Sequence, residues 1–257
     1  MLDGNNSPSV SVVILTKNRS ASLLKALESV WIQDYPNFEV LVINDASDDG
    51  TDGVLKEKVQ KYLHLRVITH NESKGITLSR QEGLMEARGE LVAFLDDDDI
   101  WTDPKKLSLQ VEFFEKNSNA VLLGTAQYLV GVTGAILGRV QRPLAHKQIR
   151  RTMLFRNNFF TSSVMLKKRA AIACGGFIKD EEDLAEDYDL WLRMGVLGLM
   201  GNLGYYMVSY KVPKYSPDRI VKFYKKQLRL VYRETKNYPF GLFAKLILKY
   251  RIWRLSN

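Results

Sequence analysis

Residues 94–101 read FLDDDDIW, four consecutive aspartates between an apolar, strand-like run and a tryptophan, in the interior of the chain. Adjacent like charges repel, and an acidic block usually marks a solvated, disordered tail. This one is flanked by LVAFL and IW. Carboxylates at a strand end can hold Mg2+ or Mn2+, which prefer oxygen ligands and commonly take one or two carboxylates plus substrate phosphates. In an extended segment Asp96 and Asp98 project to one side and Asp97 and Asp99 to the other, so the four are not equivalent. The simpler role is capping, with Asp99 or Asp103 ahead of a helix whose first turn holds Pro104.

A second acidic group, KDEEDLAEDYDLWLR (179–193), poses the same question. If a helix begins near Glu186, Asp187 shares a face with Leu190, Trp191 and Met194 at i+3, i+4 and i+7, the stripe that faces the interior. Glu186 and Asp189 fall off that stripe, and acidic residues in a first turn favour the helix dipole in any case. Asp187 is the one that faces inward. A carboxylate in a partly desolvated cleft is a candidate general base.

The elements that must position these groups repeat a cycle. VSVVIL (10–15) leads through Thr16-Lys17-Asn18-Arg19 to a helical pattern with Leu23, Leu24, Leu27, Val30 and Trp31. FEVLVIN (38–44) leads through DASDDG to a helix from Thr51, LRVIT (65–69) through NESKG to a helix ending at Arg88, and ELVAFL (90–95) to the aspartates. Wholly apolar strands alternating with amphipathic helices predict an α/β fold with a parallel sheet covered on both faces. Ligands bind such sheets beyond the carboxyl ends of the strands. Those ends present Thr16, Arg19, Asp45, Asp48, Asp96 and Asp98 along one rim. The uncharged stretch Ala120–Gly138 holds four glycines and reads as two strands joined around Gly131–Gly134, not as a membrane span.

With 257 residues, 46% of them apolar, the chain can fill a sizeable core. A single cysteine, Cys174, excludes an intramolecular disulfide, and no Cys/His grouping has zinc spacing, so a reducing, cytoplasmic setting is expected. Cys174 reads as a small buried apolar residue. No basic region precedes the short apolar run Val10–Leu15, so no secretory signal is expected. Residues 217–257 carry 11 Lys+Arg against Asp218 and Glu234, a net of +9, and residues 1–216 are near neutral at −1. A boundary falls near Pro213–Pro217. The tail interleaves its cations with Leu, Ile, Phe, Tyr and Trp, the pattern of an amphipathic helix pair able to lie on anionic lipid. It also suits apolar faces packed back on the domain with the cations in water, or nucleic acid.

TKNR after the first strand, NDASDDGT, SRQEGLMEARGELVAFLDDDDIW and EDYDLWLR, in this order over roughly residues 8–215, resemble the family 2 inverting glycosyltransferases of the GT-A fold. The resemblance implies a Rossmann-like, mostly parallel sheet flanked by helices with a basic helical C-terminal tail. Residues 1–216 would form the GT-A domain, with a nucleotide-sugar half at about 8–103 and an acceptor half at about 104–216, and 217–257 a basic amphipathic extension. It further implies that Thr16 and Asp45 hold the nucleotide base, that Asn18 and Arg19 bind the donor, and that Arg80 sits near the uridine and its phosphates. Asp96 or Asp97 would reach the ribose and sugar, Asp98 would coordinate Mn2+ or Mg2+, and Asp187 would be the catalytic base, with Glu186, Trp101 and Trp191 on the acceptor side. Lys17 and Gln81 depart from the family's tyrosine and asparagine. His64, His70 and His146 all precede the place of the family's late histidine, where Lys211, Lys214 or Arg219 could supply charge instead.

The activity so implied is metal-dependent, inverting transfer from a nucleotide sugar, a UDP-sugar first of all, to a hydroxyl of a glycan or lipid-linked acceptor in surface polysaccharide synthesis. The setting would be cytoplasmic and peripheral on the inner face of the membrane. A phosphatase of the haloacid dehalogenase type also uses Asp-x-Asp after a strand, but normally the first strand, and here the pair follows the fourth. A nucleic-acid-binding protein acting through the tail is opposed by the near-neutral body and the acidic rim.

Overall fold

The computed structural model describes residues 9–256; residues 1–8 of the expected first domain and residue 257 of the tail lie outside the described residues. The expected cycle is present as β1 (Val10–Thr16), α1 (Ser20–Trp31), β2 (Phe38–Asn44), α2 (Thr51–Lys61), β3 (Leu65–Thr69), α3 (Ile76–Glu86) and β4 (Leu91–Asp96). β1 pairs in parallel with both β2 and β4, and β2 with β3. Strand alternation divides the apolar side chains between the two faces. Val13, Leu41, Ile43, Val92 and Phe94 fill one core and Val12, Ile14, Val40, Val42 and Leu95 the other.

The chain continues through β5 (Ile100–Trp101), α4 (Lys106–Lys116), β6 (Ala120–Val130), β7 (Ile136–Val140), α5 (His146–Thr152), a 3-10 turn at Thr161–Ser163, β8 (Met165–Lys167) and α6 (Lys168–Ala173). It ends in α7 (Glu186–Leu197), β9 (Leu199–Lys211), α8 (Pro217–Glu234) and α9 (Gly241–Ser256). The sheet runs β3-β2-β1-β4-β8-β6-β9-β5, with β7 beside β6. β6 runs parallel to β9, whereas β8 is antiparallel to both β4 and β6. The stretch Ala120–Gly138 does form two antiparallel strands around the Gly131–Gly134 turn.

The crossovers from β1 step outward to β2 and β3, and α3 then returns the chain to β4 on the other side of β1. The strand order therefore switches between β1 and β4, and a crevice opens beyond their carboxyl ends. Gly83 lets α3 lie close on the sheet, since a Cβ there would stand 2.5 Å from Val13 Cγ1. The tail folds back. Leu230, Val231, Tyr238, Ala244 and Leu248 join the core cluster of α7. α8 opens with Ser216 Oγ accepting from Arg219 N at 3.3 Å and Pro217 in its first turn.

Candidate active site

Parallel pairing sets the strand ends level, with Leu15 opposite Asp96 and Thr16 opposite Asn44. Past Asp96 the chain does not stay extended, because Asp99 N donates to Asp96 O at 3.1 Å and closes a turn. The turn overrides the expected alternation. Asp97 and Asp98 both reach Arg19, whose Nη1 lies 2.8 Å from Asp97 Oδ1 and 3.1 Å from Asp98 Oδ2. Asp99 does not cap a helix. It turns inward, 1% exposed, and accepts from Ser162 Oγ and, at 2.8 Å, from Lys211 N, tying β9 to the 3-10 turn. Asp103 Oδ1 accepts from Lys105 N at 2.9 Å, just ahead of α4.

Burial pushes the Asp97 carboxyl up to about 6 against the pull of Arg19. Burial and the neighbouring Asp96 raise Asp99 well above the usual carboxylate range. The Thr16 hydroxyl, buried at the end of β1, faces the Asp97 carboxyl and also pulls it down. No group of three or more His, Cys, Asp or Glu is placed to hold a metal among the described residues. Asp98, its side chain 25% exposed, instead offers one carboxylate toward the crevice. That donor set fits a cation that completes its shell with phosphate oxygens and does not fit a closed protein cage.

Arg80 bridges the two acidic groups. It is 3% exposed; Nη2 donates to Asp96 Oδ1 at 2.7 Å and Nη1 to Glu186 Oε1. Burial alone would lower this guanidinium, but Asp96, Glu186 and Asp187 together raise it. The side chain expected beside uridine and phosphates is thus engaged in joining β4 to α7. α7 starts at Glu186 as expected, directly after Ala185 in the left-handed region at φ 55°. Asp187 is half-buried. Its Oδ2 accepts from Asn157 Nδ2 at 3.1 Å and Thr161 Oγ1 at 3.0 Å, and its Oδ1 from Tyr188 N at 2.6 Å. Burial raises its carboxyl above the usual range although Arg80 opposes this. Three donors fix its orientation, and the raised value makes it a better proton acceptor than a solvated aspartate.

Several expected roles need correction. Glu186 and Asp189 are not surface residues of a first turn, being 8% and 4% exposed. Burial, then Asp187 and Asp96, raise Glu186 against the pull of Arg80. Trp101 and Trp191 offer no face to an acceptor. Trp101 is 1% exposed with Nε1 donating to Ser162 O at 2.8 Å, and Trp191 is enclosed beside Phe177. Asn18 joins two loops, its Oδ1 accepting from Asp48 N at 2.8 Å, while Asp48 itself faces solvent. Cys174 is half-buried, not fully so, and burial raises its thiol.

Asp45 lies at the rim, but its acceptor positions are already taken. Oδ1 accepts from His70 Nδ1 at 2.7 Å and Lys74 N at 2.8 Å, and Oδ2 from Ser73 Oγ at 2.7 Å and Gly75 N at 3.1 Å. Burial pushes the carboxyl up, yet these donors hold it well below the usual carboxylate range. His70, whose Nε2 also meets Glu82 at 2.9 Å, was not marked by any motif; its place after the third strand was the available signal.

The basic tail and the acidic segment are partners. On one face of α8, Lys226 pairs with Asp180, Arg229 with Glu182 and Arg233 with Asp189, the last at 2.5 Å. Of the cations considered in place of a late histidine, Lys211 contributes its backbone N–H to Asp99, and Arg219 stacks 5.1 Å from the ring of Tyr215. Burial raises the Tyr215 phenol, Arg219 opposes this, and Asp187 and Asp96 add to the rise.

Residues 11–178 match the family model for glycosyl transferase family 2. A curated relative, the UDP-Glc:alpha-D-GlcNAc-diphosphoundecaprenol beta-1,3-glucosyltransferase WfgD of Escherichia coli, is 29% identical over 72% of this chain and 69% of its own length. Among solved structures, Staphylococcus aureus TarS 1–349 superposes with a TM-score of 0.72 at 20% identity, over 96% of this chain and 73% of that one. The mannosyltransferase PcManGT of Pyrobaculum calidifontis, in complex with GDP-Man and Mn2+, superposes with a TM-score of 0.68 at 20% identity, over 96% of this chain and 70% of that one. Those two likenesses establish the mostly parallel α/β GT-A architecture. β1 ends in Thr16, not in a carboxylate, which also leaves the phosphatase reading without its nucleophile.

Proposed function

The chain belongs to glycosyl transferase family 2 and is a glycosyltransferase; from that premise we propose that it moves a sugar, with inversion, from a UDP-sugar to a hydroxyl of a lipid-linked or glycan acceptor in surface polysaccharide synthesis. The name of WfgD supports this donor and acceptor class, and the GDP-Man bound by PcManGT marks the nucleotide as the point to test. The observation that supports the mechanism is the Arg80 bracket, which ties Asp96 at the end of β4 to Glu186, the neighbour of Asp187 at the start of α7.

The donor lies against the strand-end turn, its base beside Thr16, its diphosphate met by Arg19 and its ribose and sugar reached by Asp96 or Asp97, and Asp98 would hold Mn2+ or Mg2+. Such a cation, when bound, supplies Lewis-acid stabilisation of the charge that grows on the departing diphosphate. Asp187 takes the proton of the acceptor hydroxyl as its oxygen attacks the anomeric carbon from the face opposite the diphosphate. The bond from that carbon to the diphosphate oxygen breaks in the same displacement, so the configuration inverts and the proton remains on Asp187. Arg80 keeps the added negative charge of three neighbouring carboxylates tolerable in a desolvated site. One cysteine and a nucleotide-sugar donor suit a cytoplasmic setting.

A thermal-shift series with UDP-, GDP-, CMP- and dTDP-sugars, each with and without Mn2+, tests the reading. We expect one UDP-sugar to stabilise the wild type only with Mn2+ and to lose that effect in Asp98→Ala. Metal-independent stabilisation that persists in Asp98→Ala would remove the metal from this site.

A further inference from the structure

α9 is apolar on both sides. Its inner side sets Ala244 and Leu248 into the core, each 0% exposed. Its outer side carries Leu242, Phe243, Leu246, Tyr250 and Trp253, 57–67% exposed and spaced i, i+1, i+4, i+8 and i+11 along one helical face. A surface helix ordinarily turns polar residues outward, and a contiguous apolar face of this kind marks an interaction surface.

The charges say which one. α9 contains Lys245, Lys249, Arg251 and Arg254 and no acidic residue. Lys249, Arg251 and Arg254 are exposed, and Lys245 lies half-buried with Nζ 4.3 Å from the ring centroid of Tyr232 on α8. The cations of α8 that face the domain are neutralised by Asp180, Glu182 and Asp189. Of the eight tail cations without a carboxylate partner among the described residues, four lie on α9, where Lys249 and Arg254 flank the apolar face and Lys245 and Arg251 lie nearer the rings of Tyr232 and Tyr224 on α8. We infer that this outer face docks on an anionic lipid bilayer, the helix lying in the interface with Leu242, Phe243 and Leu246 at the acyl boundary and its lysines and arginines among the phosphates.

A second copy of the chain is a poorer occupant, because apposing two such faces brings together two sets of cations with no carboxylate in either helix. Nucleic acid would favour cations at the centre of the face, and here the centre is apolar and the cations flank it. Among the described residues no helix is long and apolar enough to span a membrane, and the four cations of α9 suit a helix lying in the interface.

The test is sedimentation of the full chain with vesicles of phosphatidylcholine alone and of phosphatidylcholine with phosphatidylglycerol, in low and high salt. It needs no donor and no transfer, so its outcome is separable from that of the glycosyltransferase mechanism. We expect pelleting with the anionic vesicles only, release by salt, and loss of most of the bound fraction in Leu242→Ser/Phe243→Ser/Leu246→Ser and in Lys249→Glu/Arg254→Glu. Both variants should keep the wild-type melting temperature, since they alter exposed positions; Phe243→Ser alone provides the same comparison should the triple variant misfold. Wild type that stays in the supernatant, or variants that pellet as wild type does, would overturn the inference. So would a wild-type dimer in light scattering that the triple variant converts to monomer, which would assign the face to a second copy.

Discussion

Arg233 Nη2 lies 2.5 Å from Asp189 Oδ1, joining a basic helix to an acidic one 44 residues earlier. Asp189 is 4% exposed and also meets Arg193 Nη2 at 2.7 Å, so it is a buried carboxylate held from two sides. Arg233 is 45% exposed, which screens its share. Arg233→Ala should therefore lower stability by only about 1 kcal/mol, while Asp189→Ala, which leaves Arg193 with the Cys174 and Gly176 carbonyls but no carboxylate, should cost more, about 1–3 kcal/mol. A urea-unfolding double-mutant cycle measures both and their coupling.

Asp97 carries a stability cost with a definite pH dependence. Its folded-state pKa, about 6, lies above the ordinary 3.8, so its contribution is full below 3.8 and lost as pH rises through about 6. The donor-free protein should melt at a higher temperature on mild acidification. Asp97→Asn should flatten that slope and raise stability by about 1–3 kcal/mol at pH above 6, while weakening donor binding. Melting curves across pH for the two proteins make the comparison; a wild type that loses stability between neutrality and 6 would contradict it.

Asp187 must be ionised to accept a proton, and its pKa is raised by burial. The acidic limb of kcat/KM should accordingly fall off at a pH above the ordinary carboxylate value of 3.8. Asp187→Asn should keep the Asn157 and Thr161 contacts and the donor KM nearly unchanged, and cut kcat by about 10²–10⁴-fold. Initial rates over a pH series, with a donor-binding measurement on the variant, distinguish loss of the base from loss of the fold.

Gly83→Ala tests how closely α3 must approach the sheet. The new methyl would meet Val13 Cγ1 at 2.5 Å, inside a core that leaves no room for it. Despite the better helix propensity of alanine, we expect a loss of about 1–3 kcal/mol, together with weaker donor binding because Arg80 rides on the same helix. Thermal unfolding and donor titration read the two effects.

The parallel α/β plan and the rim of polar strand ends could be read from the sequence, because strand and helix periods repeat locally and turn signals punctuate them. Helix spacing also set Asp187 on the stripe of Leu190, Trp191 and Met194, yet Asp187 is half-buried while Glu186 and Asp189 are buried. Pairing across long separations carries no such local mark. That Arg80 would bracket Asp96 and Glu186, that Arg19 would gather Asp97 and Asp98, and that the tail cations would meet the acidic segment were decided by packing. Helix periodicity assigns one buried stripe, so Glu186 and Asp189 looked solvated. α7 is covered on further sides, by α3 with Arg80 and by α8 with Arg233, and that second burial exists only once distant segments are brought together.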